Sequence, residues 1–186
     1  MAVAFSSVAF ADVDCGTLRE HRSRSDEAFP TRMDKKSRLR YPIREALDRL
    51  LESCEGSVPE KTIAVAIEDA VETELEGGYR VVILAFAWCE PCKEEFSKYA
   101  SFAKGQRDVT FVFVDADAHP DGLETYARER FEFGEKYELP AYAVLDTDGE
   151  TLARSSGRDG LRRALNWLSK YRRERNRLLR KSEKRS

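Results

Sequence analysis

The sequence predicts an α/β fold in which a central mixed sheet is flanked by helices. Three observations predict it. The stretches "YRVVILAF", "VTFVFVDAD" and "PAYAVLD" are continuous apolar runs, the pattern of strands buried on both faces. Helical segments separate them, which requires the sheet to be partly parallel. The tetrapeptide "TDGE" then joins "PAYAVLD" to "TLARSS" as a hairpin turn, so an antiparallel pair closes the sheet.

Along the chain, residues 1–40 read as a flexible segment. The start, "MAVAFSSVAFADVDC", has three readings: a weak export signal ending near Ala9-Phe10-Ala11, a terminal strand or helix, or a disordered tail. Residues 16–40 are polar, rich in Arg, Ser and Lys, and show no sustained period, so they read as a linker or loosely docked arm. Residues 41–57 read as an N-terminal helical extension. Ile43, Ala46, Leu47, Leu50, Leu51 and Cys54 form one stripe between Pro42 and Gly56. Residues 58–170 form the main domain. Its first helix carries a Ser57/Glu60 capping pattern and an apolar stripe from Ile63 to Leu75, ended by Gly77-Gly78.

The strand at 79–86 leads into "CEPCKEEFSKYASFAKG", a helix ended by Gly105. A helix over "DGLETYARERFEFGEKYEL", broken near Gly134, follows the second strand. Leu161, Ala164, Leu165 and Leu168 give one face of a long final helix. Residues 171–186 continue that helix as a basic extension. From Lys170 onward nine Lys/Arg face two Glu, so the remaining chain carries a net charge of −9. A solvated helix or a contact with an acidic partner or membrane surface fits this tail. Tyr171 is its one aromatic, so no nucleic acid is expected.

Composition permits a self-sufficient core, since 41% of the 186 residues are hydrophobic. Four cysteines are too few for a disulfide-built scaffold. Cys89 and Cys92 lie where the first buried strand gives way to a helix, the usual place for a site in an open α/β sheet. The spacing i, i+3 puts both sulfurs on one side of the helix, at the end rich in free N–H groups. Such a setting lowers a cysteine pKa from ~8.5 into the range ~3.5–7.5. Cys89 is then the nucleophile toward a substrate disulfide, and Cys92 attacks the resulting mixed disulfide. Pro91 fits an early helical position.

A zinc site and an inert staple are the competing readings of this pair. Zinc needs four ligands, and Cys15, Cys54, His21 and His119 are isolated in sequence. A bond across two residues closes too short a loop to add much stability. Cys54 reads as a small buried apolar residue; for Cys15, pairing or attachment is a minor reading. Asp115, Asp117, His119 and Asp121 alternate in a loop, where turn and capping roles suit them better than a cation. Neither histidine has a case as a catalytic base.

"WCEPCK" after an apolar strand, "VFVDADAHP" ending the next strand and "LPAYAVLDTDGE" together resemble the thioredoxin superfamily. "WCEPCKEEF" is similar to the ResA/TlpA group of extracytoplasmic thiol–disulfide oxidoreductases. The resemblance spans roughly residues 60 to 170. It implies a thioredoxin-like fold, Cys89 as the attacking and Cys92 as the resolving cysteine, and Trp88 and Pro91 beside them. It further implies Pro140 as a cis-proline that, with Leu139, offers backbone to a substrate strand. Ile83 stands where classical thioredoxins carry a buried Asp, so Glu90, opposed by Lys93, is the candidate for tuning the thiols. The expected partners are protein disulfide or dithiol substrates and an upstream thiol donor. No cofactor and no metal are expected. An extracytoplasmic, periplasmic location is favoured, with the cytoplasm as the alternative. The function expected is thiol–disulfide exchange; the alternative is a thioredoxin-fold binding or assembly module whose cysteines are secondary.

Overall fold

A computed structural model describes residues 12–30, 38–106, 108–118 and 123–183. The candidate export signal at 1–11, His119, Asp121 and the last basic residues lie outside them. The elements run β1 (Asp12–Asp14), α1 (Cys15–Ala28), β2 (Leu39–Arg40), α2 (Pro42–Glu52), β3 (Ser57–Pro59), α3 (Glu60–Leu75), β4 (Tyr79–Ala85) and α4 (Glu90–Gly105). Then come β5 (Val109–Asp115), a 3-10 turn (Ala116–Ala118), α5 (Leu123–Arg130), β6 (Ala141–Leu145), β7 (Thr151–Ser156) and α6 (Gly160–Glu183).

The main sheet has the order β2-β5-β4-β6-β7. β2 and β4 pair in parallel with β5, and β6 and β7 are antiparallel. The mixed sheet expected from the apolar runs is therefore present, with both faces covered. Ile83, Phe113 and Tyr142 face α4 and α6. Phe113 packs on Phe96 and Tyr99, and Gly160 at the start of α6 lies so close to Tyr142 that a Cβ would sit 2.5 Å from the ring. On the other side Val82, Val112 and Ala143 are equally inaccessible, and of the remaining helices α2 and α3 pack on β5. Glu72 of α3 ties in α5 by accepting from Tyr126 Oη (2.6 Å) and Arg130 Nε (2.7 Å).

Several expectations for the N-terminal half are corrected. Residues 15–28 are not a linker but helix α1. Asp14 caps it, accepting from the Thr17 N–H at 3.0 Å, and Leu18 and Phe29 are fully buried. Cys54 is not a free apolar side chain on the α2 stripe. The helix ends at Glu52, and Cys54 forms a disulfide with Cys15 across 39 residues. Ser57 does not cap α3; it lies in β3, paired with Asp14, and α3 has no side-chain cap. The main sheet also draws its edge strand, β2, from before residue 58. The reason in each case is tertiary: α1 is too polar to show a period, and its place is fixed by what it plugs into.

That plug is Phe29. Its ring meets Phe96 at 5.2 Å and Phe113 at 4.8 Å between centroids, at the centre of the aromatic cluster. Behind it, the buried Arg44 guanidinium donates to the Ser25 and Phe29 carbonyls, both at 2.7 Å, and to Ser25 Oγ at 3.0 Å. It thereby satisfies carbonyls at the C-terminal end of α1.

Candidate active site

β4 feeds the site directly. Its last residue, Ala85, is followed by a tight turn in which the Cys89 N–H donates to the Phe86 carbonyl at 3.0 Å. Cys89 is then the N-cap of α4. Its Sγ accepts from the Cys92 N–H at 3.2 Å, taking the place an oxygen usually fills. Pro91 lies in the first turn, where its missing N–H costs nothing. Cys89 and Cys92 form a disulfide with their Cα atoms 5.2 Å apart. Cys89 keeps a small exposed edge (4%) and Cys92 none.

Ala141 pairs with Leu84, which puts the preceding Leu139–Pro140 at the same end of the sheet as the cysteine loop. That peptide is cis, and the Pro140 carbonyl accepts from the Gly157 N–H at 2.9 Å. An open groove of about 730 Å³ runs alongside, lined by Phe86, Trp88, Tyr137, Leu139, Ser156 and Arg163 among others. Trp88 is 66% exposed and lies tilted against Phe86, with centroids 5.1 Å apart.

Glu90 and Lys93 pair with each other at 2.6 Å on the solvent side. Ile83 is fully buried between Phe113 and Tyr142. That face also carries a buried hydroxyl pair, Tyr99 and Tyr142 at 3.0 Å; burial raises both phenols well above their ordinary range.

The described part of the acidic loop after β5 reaches the site. Among the described residues no cluster of His, Cys, Asp and Glu is arranged to hold a metal. Asp117 accepts the Ala87 N–H, two residues before Cys89, and its own N–H donates to Asp115 at 3.3 Å. Burial pushes the Asp115 carboxyl up to about 6, with the Ser25 hydroxyl and Arg44 pulling the other way and Asp117 adding repulsion. Sequence reasoning placed both acids in a turn. Nothing in the local pattern says that Asp115 is buried, because helix α1 is what buries it.

No family model matches the chain, and no curated protein does. Solved structures are similar in part. Thioredoxin f from spinach chloroplast is 21% identical over 56% of this chain and 84% of its own, with a TM-score of 0.44. Thioredoxin from Fasciola hepatica is 23% identical over 59% of this chain and 92% of its own, with a TM-score of 0.42. Thioredoxin from Trichomonas vaginalis is 24% identical over 57% and 89%, with a TM-score of 0.44. Strand order and the disulfide at the α4 N-terminus define the architecture. The fold is thioredoxin-like. To it the chain adds β1, α1, β3 and a second disulfide at one end, and the long α6 at the other.

Proposed function

We propose that the protein is a thiol–disulfide oxidoreductase acting on protein substrates, most simply as a reductase. The observation that carries this reading is the Cys89–Cys92 disulfide, with Cys89 capping a helix N-terminus beside an open groove and the cis Leu139–Pro140 peptide. In the dithiol form the Cys92 N–H that now points at Cys89 Sγ, with the helix N-terminus behind it, stabilises its thiolate. The thiolate attacks one sulfur of a substrate disulfide, forming a mixed disulfide and releasing the other sulfur as a thiolate that takes up a proton. Cys92 loses its proton, attacks Cys89 and restores the internal disulfide, freeing the second substrate thiol. An upstream dithiol returns two electrons. Trp88, Pro91, Leu139 and Pro140 form the rim on which an extended substrate segment lies.

Two further readings belong with this one. A second disulfide away from the site, Cys15–Cys54, favours an oxidising, extracytoplasmic compartment. At the far end, Arg172 pairs with Asp108 and Arg175 donates to Tyr79 Oη at 2.8 Å, which docks α6 to the domain. Beyond Arg175 the helix exposes Leu178 and Leu179 among Arg177, Arg180 and Lys181, a surface suited to an acidic partner.

Reduction of insulin disulfides, with dithiothreitol as donor, tests the central reading. Wild type should catalyse it and Cys89→Ser should not, while Cys92→Ser should accumulate a mixed disulfide on Cys89. Equal inactivity of wild type and Cys89→Ser would leave the binding-module reading in its place.

A further inference from the structure

Asp115 is a buried acid that the exchange steps above do not use. It ends β5, is 1% exposed, and its Oδ2 has no hydrogen-bond partner among the described residues. It pairs in register with Ala85, the last residue of β4, and strands so paired lie about 4.8 Å apart. Cys89 folds back onto Phe86, the residue after Ala85. Asp115 also shares its face with Phe113, on which α4 packs through Phe96, one turn beyond Cys92. Asp117 bridges the two regions: its N–H holds Asp115 and its carboxylate holds the Ala87 N–H in the turn before Cys89.

We infer that Asp115 and Asp117 are positioning residues of the redox site: Asp117 fixes the turn that presents Cys89, and proton uptake by Asp115 accompanies reduction of the Cys89–Cys92 bond. The inference rests on the redox reading. Two glutathione thiols reduce the disulfide with two electrons and become glutathione disulfide. Of their two protons one goes to Cys92, Cys89 remains a thiolate, and one is left over. In water that proton is lost to solvent. Here the new thiolate and the Asp115 carboxylate repel across a poorly screened interior, so Asp115 takes up part of it. Its elevated proton affinity puts this exchange near pH 6.

The charged and polar groups around Asp115 come from every element packed on it. α1 brings Ser25 and, on the Asp117 carbonyl at 3.1 Å, His21; α2 brings Arg44, which Asp26 neutralises at 3.1 Å; the 3-10 turn brings Asp117. On α4, Lys93 and Glu95 are already paired with Glu90 and Lys98.

The test is the equilibrium of the full protein with glutathione from pH 4.5 to 8. Differential alkylation and peptide masses read Cys89 and Cys92 separately from Cys15 and Cys54. Wild type and Asp115→Asn should agree at the acid end and separate through pH 6, with the variant more readily reduced above it. A half-unit change in Asp115 affinity on reduction gives about a threefold separation. Coincident curves, or a separation constant with pH, overturn the proton linkage. So does a loss of the pH dependence in His21→Gln rather than in Asp115→Asn. For the turn, Asp117→Asn keeps an acceptor and should attack a disulfide within about twofold of wild type, whereas Asp117→Ala should be roughly tenfold slower. Equal rates in Asp117→Ala and wild type overturn the positioning role. A wild-type pair that never equilibrates with glutathione sinks both this inference and the redox reading; a cycling wild type with coincident curves sinks this one alone.

Discussion

Cys15 and Cys89 both stand at the start of a helix, and what caps each helix sets them apart. At α4 the cap is sulfur, with the Cys92 N–H aimed at Cys89 Sγ. At α1 the cap is the Asp14 carboxylate, which takes the Thr17 N–H and hydroxyl and is held low by them. The second arrangement spends the helix-end donors on an oxygen and sets a negative charge beside the sulfur, so it stabilises no thiolate. Exposure does not separate the two disulfides, since Cys54 is half-buried and more open than Cys89. Loop length separates them too: one spans three positions and the other 39. A short loop gives up little when opened; a long one stabilises by about 4 kcal/mol in the chain-entropy view.

The comparison breaks if the two bonds reduce alike. Under limiting dithiothreitol the Cys89–Cys92 bond should open at least about 100-fold faster than Cys15–Cys54, read by alkylation and mass. Next in size, Cys15→Ser/Cys54→Ser should lose about 3–4 kcal/mol, roughly 10 °C in melting temperature, and keep insulin reduction at temperatures where it is folded.

Asp115→Asn sharpens the contrast from the other side, because the stapled helix is what buries that acid. A carboxyl raised to about 6 binds its proton more tightly folded than unfolded. Stability then falls as pH rises from about 4 through 6, and the loss persists above. Asp115→Asn should therefore melt higher than wild type at pH 7, by up to about 3 kcal/mol, with the gain vanishing below pH 4. Equal melting temperatures at pH 7 would show that Asp115 carries no such penalty. A smaller effect is expected from Asp14→Asn, which should speed alkylation of reduced Cys15 at pH 7 about threefold and leave Cys89 unchanged. Smallest of all, Glu90→Gln should alter the insulin rate by no more than about twofold, given its exposed pairing with Lys93.

Where burial is continuous, the chain declares itself. Val81 to Ala85, Phe111 to Asp115 and Ala141 to Leu145 are buried throughout, and an unbroken apolar run announces each apart from the terminal Asp115. Cys89 and Cys92 were legible for a related reason: a strand end followed by a proline-containing first turn is a local signal. Helix α1 was not. Its buried residues are Cys15, Leu18 and Ser25, a set with no apolar stripe, and it is held by a distant cysteine and a distant arginine. β2 is two residues long and exists only as a partner of β5. Asp115 and Asp117 belong with them, since their meaning depends on a helix some ninety residues earlier, as the contact of His21 with Asp117 shows.

Arg44 makes the fold's outline a poor guide to its smallest viable piece. A chain trimmed to start at the first strand of the main sheet would keep every strand of that sheet and all of α4. It would also forfeit the oxygens of Ser25, Asp26 and Phe29 that now receive the guanidinium. The guanidinium would lose these partners together with the helix that covers it, and the fully buried ring of Phe29 would leave a hole in the aromatic cluster beside it. The indivisible unit of this molecule therefore begins upstream of its sheet, with residues whose sequence gives no hint that anything depends on them.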